Sequence, residues 1–267
     1  MPEPRIDTAH YPSTLMEPLM PPARTARYGR IDALRGLAIV WMTVYHFCFD
    51  LNHYRWIAQN FYRDPFWTWQ RTAIVTLFLL CAGAGQAVAV HQGQTWPRFW
   101  KRWAQVLICS LLVTAGSYVM FPRSFIFFGI LHGIAAMLLI VRLTAHWGRW
   151  LWLCGGLTIA MQFVAAYAVK TWTNLQFLNE KHWSWLGFIS HKPITEDFAP
   201  LIPWLGIMWW GTALTQWLLR ERPALITGNL PSAARWLAWL GGWSLTYYML
   251  HQPVMIGLME LVQWLRN

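Results

Sequence analysis

Charge is what this sequence has least of. Only 12% of its 267 residues are Asp, Glu, Lys or Arg, against about 25% in an ordinary soluble domain. Hydrophobic residues make up 56%, so the balance excludes a soluble globular domain and makes the chain an integral membrane protein. Cysteine is scarce too. Cys48, Cys81, Cys109 and Cys154 all fall in apolar stretches, with neither paired nor metal-type spacing, so they read as buried thiols. A P-loop, a glycine-rich dinucleotide fingerprint and a paired-cysteine zinc motif are all missing, which removes the common soluble nucleotide and metal enzymes. No internal repeat is visible. The formal net charge is +10, but the cations are scattered over short loops rather than gathered on one basic face, so no nucleic-acid partner is expected.

What is present is a series of long apolar runs rich in tryptophan. Twenty-one tryptophans suit a protein with many indoles at membrane–water interfaces. Runs near 34–54, 67–90, 102–121, 125–142, 150–170, 200–219 and 237–264 each approach the roughly 20 residues that span a bilayer. The expected fold is therefore all-α, a polytopic transmembrane helix bundle of about seven spans. The last run contains Gly241, Gly242 and Pro253, and a break there would make eight. Residues 1–28 are rich in proline and polar groups, lack a secretory signal, and read as a disordered cytoplasmic tail. Residues 29–267 form the transmembrane domain, and 171–199 form one long non-cytoplasmic loop that could act as a partial lid. Lys and Arg are in excess on the side of the N-terminus, which favours a cytoplasmic N-terminus in the inner membrane.

The first run carries the informative residues. Asp32, Arg35, His46 and Asp50 are offset by 3, 11 and 4. At 100° per residue an offset of 11 comes to about 20° past three full turns, so all four share one helix face. Ionisable groups in a spanning helix are costly and usually functional. His46 lies about 16 Å along the axis from Arg35, and Asp50 is one turn further, where i,i+4 side chains can touch. A carboxylate beside an imidazole would fix its tautomer and raise its basicity, as a general base requires. The alternative is a His–Asp contact that only joins helices. Arg35 could bind phosphate or carboxylate through its planar fork, or pair within the helix to Asp32.

Further polar candidates lie in later runs. His132 sits in Phe127-Phe-Gly-Ile-Leu-His132, and His251-Gln252 precedes Pro253, which frees a carbonyl and could mark a cavity. Asp197 opens the sixth run. Each has a simpler reading as well: bonding across helices for the histidines, and favouring a helix N-terminus for Asp197. Phe78–Gly85 is a small-residue patch that reads as close helix packing.

Arg35, ten residues, then His46 resembles the arginine–histidine signature of the membrane acyltransferase-3 superfamily. Arg30–Leu51, Phe121-Pro-Arg-Ser-Phe-Ile-Phe-Phe-Gly-Ile-Leu-His132, Asp197-Phe-Ala-Pro-Leu-Ile-Pro-Trp-Leu-Gly206 and Leu240-Gly-Gly-Trp-Ser-Leu-Thr-Tyr-Tyr-Met-Leu-His-Gln-Pro253 together resemble bacterial relatives of heparan-α-glucosaminide N-acetyltransferase. The resemblance implies a multi-span enzyme that moves an acetyl group from cytoplasmic acetyl-CoA to a sugar amine or hydroxyl of an envelope glycan or glycolipid. In that layout Arg35, helped by Arg30, Lys101 or Arg102, would hold the acyl-CoA phosphates. His46 and Asp50 would be catalytic, and His132, His251, Gln252 and Asp197 would line the acceptor or oxyanion site. Acetyl-CoA is the expected co-substrate, and neither metal nor haem is expected. A small-molecule or lipid-linked-sugar transporter is the alternative, since polar stripes through a bundle also make substrate paths. A haem protein using the intramembrane histidines is a further one.

Overall fold

The computed structural model describes residues 28–266, so the expected tail lies outside the described residues apart from Tyr28. Among the described residues ten α-helices follow one another: α1 (Gly29–His53), α2 (Pro65–His91), α3 (Trp96–Met120), α4 (Ile130–Thr144), α5 (Trp150–Thr171), α6 (Lys181–Ser184), α7 (Leu201–Glu221), α8 (Ala224–Thr227), α9 (Arg235–Gly242) and α10 (Ser244–Arg266). The described residues contain no regular strand, only an isolated bridge between Phe128 and Phe198. Helices α1, α2, α3, α5 and the stretch Ile130–Trp147 that begins with α4 are long and apolar enough to cross a membrane. Helices α7 and α10 have 21 and 23 residues, enough length to span. Tryptophan and Gln216 in α7, and Tyr247, His251, Gln252 and Glu260 in α10, dilute their apolar character. The chain is an all-α, multi-pass membrane protein.

Of the differences from the expected bounds, two have clear local reasons. The fourth begins at Ile130 rather than 125, because Ser124–Phe128 is non-helical and bonds to the loop before α7. Glu196 N–H donates to Ser124 O, Ala199 N–H to Phe128 O and Thr195 Oγ1 to Phe125 O. The 171–199 loop is thus stitched onto the α3–α4 turn. The last run splits at Trp243 into α9, of eight residues, and α10, which continues helically through Pro253.

Glycines set the closest helix contacts. A methyl at Gly83 would strike Met208 O and one at Gly211 would strike Leu80 O, fixing α2 against α7. Gly36 and Gly241 do the same for α1 against α9, through Leu237 O and Asp32 O. Such close backbone approach replaces the hydrophobic drive that lipid removes. The main core lies among α2, α4, α5 and α7 around Leu79, Met137, Val141, Leu151 and Met208. Several indoles serve as cross-helix donors rather than interfacial anchors: Trp103 Nε1–H to Ala135 O, Trp209 Nε1–H to Thr144 Oγ1 and Trp210 Nε1–H to Trp152 O. Helix α3 is peripheral, with Ile108, Leu111, Leu112 and Val119 all exposed.

Candidate functional site

Helix α1 turns its polar face inward. Ile39, Met42 and Asp50 on that face are buried, while Leu34, Leu37, Val44 and Phe47 on the opposite face are exposed. Lipid solvates the second set, so the first must find partners inside the bundle.

His46 finds His251. Nδ1 of His46 lies 2.9 Å from Nε2 of His251, and the rings stack with centroids 5.1 Å apart. Nδ1 of His251 is 2.7 Å from the Tyr248 carbonyl oxygen, which can only accept. These partners fix both tautomers. His251 donates Nδ1–H to Tyr248 O, so its Nε2 accepts from His46 Nδ1–H, and the lone pair of the His46 ring lies on Nε2. Tyr247 stacks on His251 at 6.1 Å, and its hydroxyl is 3.0 Å from Thr43 Oγ1. Thr43 donates its own proton to Ile39 O, so Tyr247 is the donor of the pair. The result is an unprotonated ring nitrogen in the second half of α1, backed by a second imidazole and a carbonyl.

Asp50 is placed differently from the expected His46 partner. Its Oδ1 accepts from Gln252 Nε2 at 2.8 Å, and Gln252 also neighbours His46. The acid therefore reaches the imidazole through the amide. Asp50, His46, His251 and Gln252 are brought together.

At the other end of the face Arg35 NH1 bonds Asp32 Oδ1 at 2.9 Å, so the intrahelical pair forms. NH2 of Arg35 lies over Gly85, 3.4 Å from where a Cβ would stand. The small-residue patch of α2 thus packs against α7 through Gly83 and makes room for a guanidinium through Gly85. Arg35 and Arg102 are close enough to repel each other. Arg102, with Gln105, Ile108 and Cys109 of α3, lines one wall of a groove of about 480 Å³. Trp243, Thr246 and Met249 are on the other wall, where α9 gives way to α10. Arg30 donates instead to Leu225 O and Asn229 O, which pins the segment after α7. Lys101 is exposed on α3.

His132 and Asp197 are engaged elsewhere. His132 Nδ1 accepts from Gly129 N–H at 3.3 Å, so its Nε2 carries the proton and donates to Thr114 Oγ1 at 3.0 Å. Thr114 in turn donates to Ile126 O, and both ring nitrogens hold the α3–α4 turn. Asp197 Oδ2 accepts from Ile130 N–H at 2.7 Å, so the acid serves the N-terminus of α4 rather than that of α7, whose run it opens in sequence. Burial pushes its carboxyl above the usual range, against the Ile130 and Phe198 N–H groups and the Lys192 charge.

Sequence reasoning missed Thr43, Gln105, Tyr247, Tyr248 and Thr246. Spacing could have found one of them: Tyr247 and His251 are i,i+4 on α10. Tyr248 adds a ring tilted against His251 at 5.5 Å, but its hydrogen bond comes from the backbone carbonyl, which carries no side-chain signal.

The family model described as "Heparan-alpha-glucosaminide N-acetyltransferase, catalytic" matches residues 27–253. Nothing matches among curated proteins or among solved structures.

Proposed function

Since this chain belongs to the heparan-alpha-glucosaminide N-acetyltransferase catalytic family, we propose that it transfers an acetyl group from cytoplasmic acetyl-CoA to a sugar amine or hydroxyl of an envelope glycan or glycolipid. The observation that carries this reading is the unprotonated Nε2 of His46, backed by His251 and set on the same inward face as Arg35. An enzyme of acyl transfer needs an anion grip on one side and a base within reach of the acceptor on the other.

In this reading the protein lies in the inner membrane with its N-terminus cytoplasmic. Arg35 and Arg102 hold the phosphates of the donor, while Arg30 and Lys101 add to the positive field at the same end. The pantetheine arm occupies the groove between α3 and α10, where Gln105 and Thr246 offer polar partners among apolar walls. His46 Nε2 takes the proton from the acceptor as its nitrogen or oxygen attacks the thioester carbonyl carbon. A new C–N or C–O bond forms, the C–S bond breaks, and the CoA thiolate leaves with the proton that His46 returns. Through the His46–His251 bond the second imidazole shares the positive charge that His46 carries between those two moments.

The test is transfer of label from [acetyl-¹⁴C]CoA to the glycan fraction of membranes containing the wild type or His46→Ala. Loss of a positioned base lowers acyl transfer about 10²- to 10⁴-fold, and the variant should still elute as a single folded species in detergent. Label uptake by His46→Ala within threefold of wild type would sink the proposal.

A further inference from the structure

Beside His46 the protein buries two hydrogen-bond acceptors that nothing fills. Asp50 is 4% exposed, and its Oδ2 has no hydrogen-bond partner. Gln252 Oε1 is buried and equally unpartnered. The two side chains are joined to each other through Asp50 Oδ1 and Gln252 Nε2, so the orphaned oxygens belong to one polar unit. Acceptors without donors are rare in protein interiors and costly. In a bilayer, where water does not stand ready to supply the donor, they are costlier still. Asp50 lies four residues beyond His46, about 6 Å along the helix, and only three residues before α1 ends at His53. The pair therefore stands on the side of the base that faces the loop end of α1, away from Arg35.

We propose that Asp50 and Gln252 form a subsite for the acceptor. They would receive an O–H or N–H that stands next to the reacting amine or hydroxyl, and so select substrates with vicinal donors, the pattern of a sugar ring. The inference rests on the acetyl-transfer reading and deepens it, because His46 alone would accept any amine or alcohol that reached it. Buried acceptors one helical turn beyond the base call for a second donor on the substrate, close to the reacting group. Asp50 acts here as a binding group for the acceptor and touches His46 only through Gln252.

The test uses two soluble acceptors with wild type, Asp50→Asn and Gln252→Met in native membranes. trans-2-Aminocyclohexanol carries a hydroxyl beside its amine, and cyclohexylamine lacks it. Wild type should prefer the first about 10- to 100-fold in kcat/KM, the range for a hydrogen bond to a charged group. In each variant the ratio of the two should fall to near one. Gln252→Met provides a second reading should Asp50→Asn fail to fold. If wild type labels its own membrane glycans but uses the two amines equally, or if both variants keep the preference, the subsite inference falls and acetyl transfer stands. If wild type labels nothing, the acetyl-transfer reading fails and takes the subsite with it.

Discussion

At the scale of single residues, side chains of one kind have opposite fates according to their partners. His132 has each ring nitrogen held by the α3–α4 turn, whereas His46 bonds a second imidazole through Nδ1 and carries its lone pair on Nε2. Thr114→Val removes the acceptor of the His132 bond, so it should cost about 1 kcal/mol of stability and leave transfer per folded molecule unchanged, as thermal unfolding and label transfer together would show. His251→Phe keeps an aromatic ring beside Tyr247 but abolishes both hydrogen bonds. It should lower kcat about 10- to 100-fold while acetyl-CoA binding, followed by calorimetry, stays near wild type. Asp197 carries a pH signature. Its pKa is raised in the folded protein, so its titration contributes stability that is fully present below the ordinary aspartate pKa and is lost as pH rises through the raised one. Asp197→Asn cannot ionise. Its melting temperature relative to wild type should therefore increase between pH 4 and pH 8, and a flat difference would contradict the burial. The inward face of α1 was legible at this scale, because an 11-residue offset in a helix leaves no choice of side. The partners were not, since the His46–His251 and Asp50–Gln252 pairs join residues some 200 apart in the chain, and only packing decides which side chain meets which.

At the scale of elements, the long apolar runs announced themselves by length, and their ends moved where tertiary bonds intervened. Apolarity alone carried the fourth run back to Phe125, but Ser124–Phe128 bonds to the loop before α7 and leaves helical geometry. The seam between α1 and α9 depends on Gly36 and Gly241, whose added methyls would meet Leu237 O and Asp32 O. Backbone atoms cannot step aside as a flexible side chain can. Gly241→Ala should therefore cost about 1–3 kcal/mol and weaken acetyl-CoA binding, because α9 ends at the groove wall and packs on the turn that carries Arg35. Wild-type stability in that variant would show that α9 is free to shift. Gly85→Leu should displace the Arg35 guanidinium instead, raising the KM for acetyl-CoA with little change in melting temperature.

At the scale of the molecule, the proposed orientation makes its own prediction. A single cysteine introduced at Ser232 should be shielded from a membrane-impermeant maleimide added to intact cells, and one at Asn60 should react. The reverse pattern would put the anion grip on the wrong side for cytoplasmic acetyl-CoA. Fold class was legible at this scale from composition, and the division of the last run at Trp243 was legible only as an alternative, because Gly241, Gly242 and Pro253 allow a break without requiring one. The chain of imidazoles has a consequence for the whole assembly in its setting. It ends on a peptide oxygen rather than a carboxylate, so at rest the relay is electrically silent. A full charge carried across a bilayer gains or loses about 2.3 kcal/mol per 100 mV, yet an uncharged relay gives the transmembrane voltage nothing to pull on. Only the moment when a proton sits on His46 can feel that field, and turnover should stay almost indifferent to whether the cell is energised.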